Sequence, residues 1–381
     1  MMDIESAYQQ ALDYLYSFVD FSLTRAFRYS PENFNLTRMT KLLVELGNPQ
    51  KKYKVIHLAG TKGKGSTASL IANSLVKAGY KVGFYTSPHL IDFNERIQVN
   101  GKLISKQSLV NVIESLKPHV ETVKQITTFE LTTAAAFLYF VEQKVDVAIV
   151  EVGLGGRLDA TNLVDPLVSV ITSISYDHMA VLGNTLTSIA GEKAGIIKEN
   201  RPVIVSPQKS EALRAIQKIA REKNAPITLV GEDYLFSQGE HSLEGQALYV
   251  WKNDEQDQMN KYLDHPESSE WQPAELKIPL LGFHQVENAA TAYAALQVAS
   301  ENGLTIDKEA IRKGFASVFW PCRFEVVQRD PFLIIDSAHN RDSALRLRLA
   351  IDDYLPGKAI ILLFGASEDK DIQGMFAELL P

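Results

Sequence analysis

The chain has 381 residues, 46 Asp and Glu against 39 Lys and Arg, a formal net charge of −7, and 45% hydrophobic and 22% charged residues. That balance excludes a largely disordered chain and argues against nucleic acid as the main partner, while the length allows two or three domains, each with its own core. The longest apolar runs, 145–150 (VDVAIV) and 359–364 (AIILLF), fall short of the ~20 residues of a membrane span and read as buried parallel strands.

In chain order, Leu12, Leu15, Phe18 and Val19 recur at helical spacing and predict a surface helix over 5–19. A second helix is expected to end near Gly47, with Pro49 as its stop. From residue 54 the pattern changes. VIHLA (55–59) reads as a buried strand, followed by a glycine-rich turn, a helix through 69–77 stopped at Gly79, and the strand VGFYT (82–86). Thr127 and Glu130 form a candidate capping box for an apolar helix over 128–142. DVAIVEV (146–152), LVSVIT (167–172) and PVIVS (202–206) supply further strands. Strands alternating with helices predict an α/β fold with a mostly parallel sheet covered on both faces.

Residues 234–281 break this alternation, with short candidate strands around a polar stretch at 252–273 that reads as an exposed hairpin or loop insertion. Helices are predicted over 285–301 and 307–317. The alternation restarts near Pro321 with FEVV, FLIIDS, a helix from about 341, AIILLFGA and a final helix. This divides the chain into a large unit, 1–318, and a small α/β unit, 319–381, that is expected to be incomplete. The single cysteine, Cys322, allows no intramolecular disulfide, and the opening MMDIESAYQQ has no basic segment leading into an apolar one. Both features point to the cytoplasm and away from a membrane.

Four segments carry chemistry. In HLAGTKGKGSTASL (57–70) the glycines Gly60, Gly63 and Gly65 permit a tight turn between a strand and a helix, where backbone amides and a helix N-terminus receive phosphate. Lys64 reaches β- and γ-phosphates as a point charge, and Ser66 or Thr67 offers a hydroxyl to Mg²⁺. The strict Walker spacing is not met, because Gly60 precedes Gly63 by three positions and Gly65 follows Lys64. In IVEVGLGGRLDATN (149–162) a buried strand ends in Glu151, a candidate Mg²⁺ ligand at the edge where α/β sheets bind ligands. In SISYDHMAVLGNTLTSIAGEKAGIIK (173–198) another strand end carries Asp177 and His178, and Lys193 taken alone reads as a snorkelling surface lysine. WPCRFEVV (320–327) and LIIDSAHN (333–340) place Arg323, Asp336 and His339 around strand ends of the small unit.

Together with SPHLIDFNERI (87–97) and HQVENA (284–289), these segments resemble the Mur ligase superfamily, and within it the folylpolyglutamate synthase and dihydrofolate synthase family. The resemblance runs from about residue 20 to the end. It implies a P-loop-type ATPase domain plus a smaller, Rossmann-like C-terminal domain. It also implies ATP and Mg²⁺ as cofactors, and L-glutamate, dihydropteroate or reduced folates as substrates of a monomeric enzyme. By that resemblance Gly60, Thr61, Lys62, Gly63, Lys64, Gly65 and Ser66 form the ATP phosphate loop, and Asn288, Arg323 and Asp336 also contact ATP. Ser66, Ser87, Glu151 and His178 hold Mg²⁺, Lys193 is the carbamylated lysine that positions a metal, and His339 is the histidine of the DxAHN segment. Lys64, Lys193 and His339 form the catalytic set. The pterin site aligns with Phe34, Asn35 and Leu36, with Thr127, and with Leu158, Asp159 and Ala160. LGGRLDATN looks more like the two-activity members, so both glutamate-ligating activities are expected. Polyglutamylation alone, or another Mur-type amino-acid ligase, is the alternative. Two departures stand out: a C-terminal unit shorter than usual, and Ser337 where many members carry glycine.

Overall fold

The computed structural model describes residues 3–19, 35–368 and 370–380. Thirteen strands occur among them. β1 (Lys54–Ala59), β2 (Val82–Tyr85), β3 (Ile97–Val99), β4 (Lys102–Leu103), β5 (Val147–Glu151), β6 (Val168–Ile171), β7 (Val203–Val205) and β8 (Ile227–Leu229) form one sheet in the order β4-β3-β2-β5-β1-β6-β7-β8. Six of these strands run parallel, and only β3 and β4 run antiparallel at one edge. Of the parallel strands, β1, β5, β6 and β7 are short, mainly aliphatic runs buried on both faces, which is why they read as continuous apolar stretches instead of alternating ones.

Alternate residues of β1 and β5 enter different cores. Ile56, Leu58, Val147 and Ile149 pack with Leu70, Ile71 and Leu75 of the Lys64–Lys77 helix and with the Phe283–Glu301 helix. Val55, Ala148 and Val150 pack on the other face with the Ile4–Tyr16, Leu36–Glu45, Lys106–Val120 and Thr128–Glu142 helices. A third cluster joins β7 to the Leu186–Ala194 and Ser210–Glu222 helices. The capping box of the Thr128–Glu142 helix forms as the sequence predicts, with Thr127 and Glu130 exchanging hydrogen bonds.

Two expectations are corrected. Residues 234–281 are not an exposed insertion. They form an antiparallel sheet of β9 (Tyr234–Ser242), β10 (Gly245–Lys252) and β11 (Ala274–Ile278), with a helix at Gln256–Asp264 inside the polar stretch. Leu248, Val250, Leu276 and Ile278 are buried in the same core as β1, so this sheet is a packed layer. Nor does AIILLF form a strand. The C-terminal region holds β12 (Glu325–Arg329) paired antiparallel with β13 (Phe332–Ile335), and helices at Arg341–Tyr354 and Ile372–Leu379. Residues 359–365 belong to no helix or strand and have no ladder partners, and Ile361 and Leu363 are 99% and 98% exposed. An apolar run signals a need for burial, but a strand also needs a neighbour to accept its hydrogen bonds. No helix among the described residues is long and apolar enough to cross a membrane.

Candidate functional site

β2, β5, β1 and β6 lie side by side, so the loops after them gather at one edge of the sheet. The loop after β1 is Gly60–Gly63. A side chain at Gly60 would collide with Thr172 at the end of β6, and one at Gly63 with Asn288. Gly63, at φ +82°, is the N-cap of the Lys64–Lys77 helix and offers no side chain to its first-turn amides. Those amides have no acceptor within the helix and face outward, as phosphate binding requires. Thr61 and Lys62 donate their amides to the Ser173 carbonyl at 2.9 and 3.1 Å, tying the loop to β6. Ser66 is buried in the first turn of that helix, and Gly65 lies against Trp320, whose ring would be 2.6 Å from an added Cβ.

Lys64 and Glu151 meet at this edge, with Nζ 3.8 Å from Oε1. The other Glu151 oxygen accepts a hydrogen bond from Thr86, which precedes Ser87 at the end of β2. Lys193 is 5% exposed and donates from Nζ to the Gly60 carbonyl at 2.8 Å, so it is no snorkelling lysine. Burial, reinforced by Lys64, lowers its pKa to about 7. His178, at φ 48°, stands on the wall of the cleft, 3.9 Å from the carboxylate of Asp177. Ser66, Ser87 and Glu151 are oxygen donors and suit a hard cation such as Mg²⁺, whereas the His178 nitrogen suits it less well. As an amine Lys193 offers no ligand oxygen. No group of three His, Cys, Asp or Glu side chains is gathered for a metal among the described residues.

The C-terminal region closes over this edge. Asp177 Oδ2 accepts from Lys62 Nζ at 3.3 Å and from Asn340 Nδ2 at 2.8 Å. Burial pushes the Asp177 carboxyl up, but Lys62, His178 and His339 override it and hold it well below the usual carboxylate range. His339 donates from Nδ1 to the Ser337 carbonyl at 2.9 Å, which leaves Nε2 to accept from Lys62 at 3.3 Å. Arg323 donates to the Ser337 hydroxyl and, at 2.9 Å, to the Cys322 carbonyl. Asp336 accepts from the amides of Phe324 and Ala338 at 2.8 and 2.7 Å, so it organises the turn that carries Arg323. Asn288 sits under the phosphate loop, bonded to Gln285 at 3.0 Å.

A cleft of about 1570 Å³ opens beside these groups. Asn35, Thr127, Leu158, Asp159 and Ala160 line it together with Ser87, Asp177, His178 and His339. Leu36 opens the helix that Asn35 caps, and Phe34 lies outside the described residues. Glu151, Lys64 and Lys193 are placed behind the cleft's lining, at the sheet edge. The sequence reading missed Arg38 and its 3.3 Å ion pair with Glu130, as well as Arg96, Thr86 and Asn340. Asn340 lay inside a recognised motif. Arg38 carried no signal, because its partner is 92 residues away.

The Mur ligase middle domain matches residues 58–296. The chain is 39% identical over 381 residues to the dihydrofolate synthase/folylpolyglutamate synthase of Bacillus subtilis, covering 98% of this chain and 83% of that one. It is 34% identical to the folylpolyglutamate synthase of Lacticaseibacillus casei, covering 97% and 82%. Among solved structures it superposes on an FPGS–AMPPCP–folate complex with a TM-score of 0.81 at 32% identity, over 93% of this chain and 82% of that one. It superposes on the Mycobacterium tuberculosis folylpolyglutamate synthase complexed with ADP with a TM-score of 0.83 at 30% identity, over 99% and 80%. A phosphate loop, a strand-end carboxylate and a buried lysine at one sheet edge accompany these likenesses, and the chain belongs to the folylpolyglutamate synthase/dihydrofolate synthase family of Mur ligases.

Proposed function

We propose that the protein is an ATP-dependent ligase that joins the amine of L-glutamate to the carboxylate of dihydropteroate and of reduced folates. A monomeric state and a cytoplasmic location belong to the same proposal. The observation that carries this reading is the meeting of the phosphate loop, Glu151 and Lys193 at the back of a cleft large enough for a pterin. The Bacillus relative is named for both activities and the solved FPGS complex holds AMPPCP and folate, which supports the substrates proposed.

The acceptor carboxylate attacks the γ-phosphorus of ATP, the bond to the bridging oxygen breaks, and ADP leaves. The amine of glutamate then attacks the acyl phosphate, and the amide forms as phosphate and a proton depart. A carboxylate approaching a polyphosphate meets like-charge repulsion. The first-turn amides of residues 64–66 and the Lys64 ammonium reduce it from fixed positions, with no reorganisation as charge develops. Lys62 exchanges Asp177 for a phosphate oxygen, Asn288 meets the nucleotide from beneath the loop, and Arg323 and Asp336 meet it from the facing side. Mg²⁺, when bound, offsets the same repulsion, and Ser66, Ser87, Glu151 and His178 would hold it. Lys193, buried with a pKa lowered to about 7, is neutral in part of the molecules near neutral pH, and that neutral amine can add to CO₂, losing a proton and becoming a carbamate anion beside the loop. His339, with Asn340, steadies Lys62 and Asp177 across the closure that keeps water from the acyl phosphate. Asn35, Leu36, Thr127 and Leu158–Ala160, with Phe34, form the pterin end.

The test supplies Mg·ATP and labelled L-glutamate with dihydropteroate or tetrahydrofolate, and follows label in the pterin product. Incorporation into both is expected. Incorporation into tetrahydrofolate alone would restrict the enzyme to polyglutamylation, the sole activity in the Lacticaseibacillus relative's name. Incorporation into neither would contradict the proposal.

A further inference from the structure

β1 is a central strand, and among its inward residues one is not aliphatic. His57 is 0% exposed, with its Nε2 2.9 Å from Thr161 Oγ1. Thr161 Oγ1 is in turn 2.5 Å from Asp159 Oδ1. Asp159 accepts three further hydrogen bonds, from the amide of Thr161 at 3.0 Å on Oδ1 and from those of Gly153 and Leu154 at 3.1 and 2.9 Å on Oδ2. A carboxylate so placed only accepts, so the Thr161 hydroxyl donates to it and must accept from His57. His57 is therefore the Nε2–H tautomer, and its Nδ1 is left buried without a partner.

An orphaned nitrogen in the middle of a sheet is costly, and an aliphatic side chain on β1 would avoid it. What the imidazole provides is a donor at one point. The Asp159 carboxylate closes the 153–161 loop on itself, and the His57–Thr161 hydrogen bond ties that closed loop to the central strand. Leu154, Leu158 and Ala160 of this loop line the cleft.

We infer that His57, acting through Thr161, is a positioning residue for the acceptor substrate: it sets where the 153–161 loop stands against the pterin without touching it. The inference rests on the proposed placing of the pterin against Leu158–Ala160. The test is steady-state kinetics on the full chain, with the acceptor that the wild type turns over, and a urea midpoint for each variant. His57→Leu and Thr161→Val are each expected to raise the KM of the acceptor about tenfold. The KM of ATP stays within about twofold and kcat within about threefold in both. His57→Gln and Thr161→Ser keep a donor and a hydroxyl, and return the acceptor KM to within about threefold of wild type. If His57→Leu does not fold, the Thr161→Val and Thr161→Ser pair decides. A lowered urea midpoint with an unchanged acceptor KM, or an equal rise in both KM values, overturns the inference. A wild type that ligates neither acceptor refutes the proposed function and this inference with it, whereas an active wild type with unaffected variants refutes this inference alone.

Discussion

Lysine in a helix of small apolar residues ordinarily buries its stem and keeps its head in water. Lys193 buries both, against the carbonyl of Gly60, and its pKa of about 7 follows from that burial and from the nearby Lys64. Lys193→Ala is expected to lower kcat by about 10²–10³-fold in a chain that still folds, as read by ligation rate and by circular dichroism. Retention of full activity would refute its role. Gly65 makes a second point. Ala normally stabilises a helix over Gly by ~1 kcal/mol, but here the new Cβ would be 2.6 Å from the Trp320 ring. Gly65→Ala is therefore expected to displace Trp320 and raise the KM of ATP about tenfold, and an unchanged KM would contradict that. Burial also lowers the His57 pKa to about 3, helped by Lys198. Between the ordinary histidine value and about 3 the unfolded chain binds the proton and the folded chain does not, so stability falls as pH falls through that window. Replacing His57 with Gln should remove up to one proton from the uptake on unfolding near pH 5, measurable by urea titration at several pH values. At this scale glycine spacing and a strand end mark Lys64 and Glu151 in the sequence, whereas Lys193 taken alone read as a surface lysine and was singled out by the resemblance. The sign of the Lys193 environment was not legible without the resemblance, since burial of a helix residue depends on what packs over it.

Where a helix start was legible its signal is local, as in the Thr127–Glu130 capping box, whereas the Lys106–Val120 and Ser210–Glu222 helices were not read. Asp307 caps the Lys308–Ala316 helix by accepting from the Ala310 amide at 2.6 Å. Asp307→Ala should lower stability by ~1 kcal/mol with ligation rates unchanged, which a urea midpoint and an activity assay together check. Five strands of the large sheet, β1, β2, β5, β6 and β7, were also legible as short apolar runs between turn residues, whereas β3, β4 and β8 were not. AIILLF has the same composition yet pairs with nothing, because composition encodes burial and not the presence of a neighbouring strand. β9–β11 failed in the opposite sense. Their outer residues are polar, and only alternate positions such as Leu248 and Val250 enter the core, so the stretch resembles a surface loop.

At the scale of the whole molecule, the β9–β11 sheet buttresses the C-terminal region. Tyr354 of the Arg341–Tyr354 helix donates to Gln246 of β10 at 3.0 Å and accepts from the Gly282 amide at 3.3 Å. Gln246 donates to the carbonyls of Leu280 and Gly282 at 2.6 and 3.0 Å. Arg346 pairs with Glu287 at 2.9 Å, and Asn340 with Asp177, so contacts at two levels hold the C-terminal region over the phosphate loop. Tyr354→Phe leaves the Gly282 amide without its acceptor, although Gln246 Oε1 still accepts from Gln238 at 2.8 Å, and should cost about 1–3 kcal/mol by urea unfolding, whereas no measurable loss would show that this joint is not a structural tie. None of these long-range ties was legible in the sequence, where each partner is an ordinary polar residue.

The most direct measurement of the chemistry uses acceptor pterin carrying ¹⁸O in both carboxylate oxygens, with Mg·ATP and L-glutamate, and mass spectrometry of the released phosphate. Ligation through an acyl phosphate predicts one ¹⁸O atom transferred to each phosphate and one retained in the amide. Phosphate without label, released at the rate of amide formation, would contradict it.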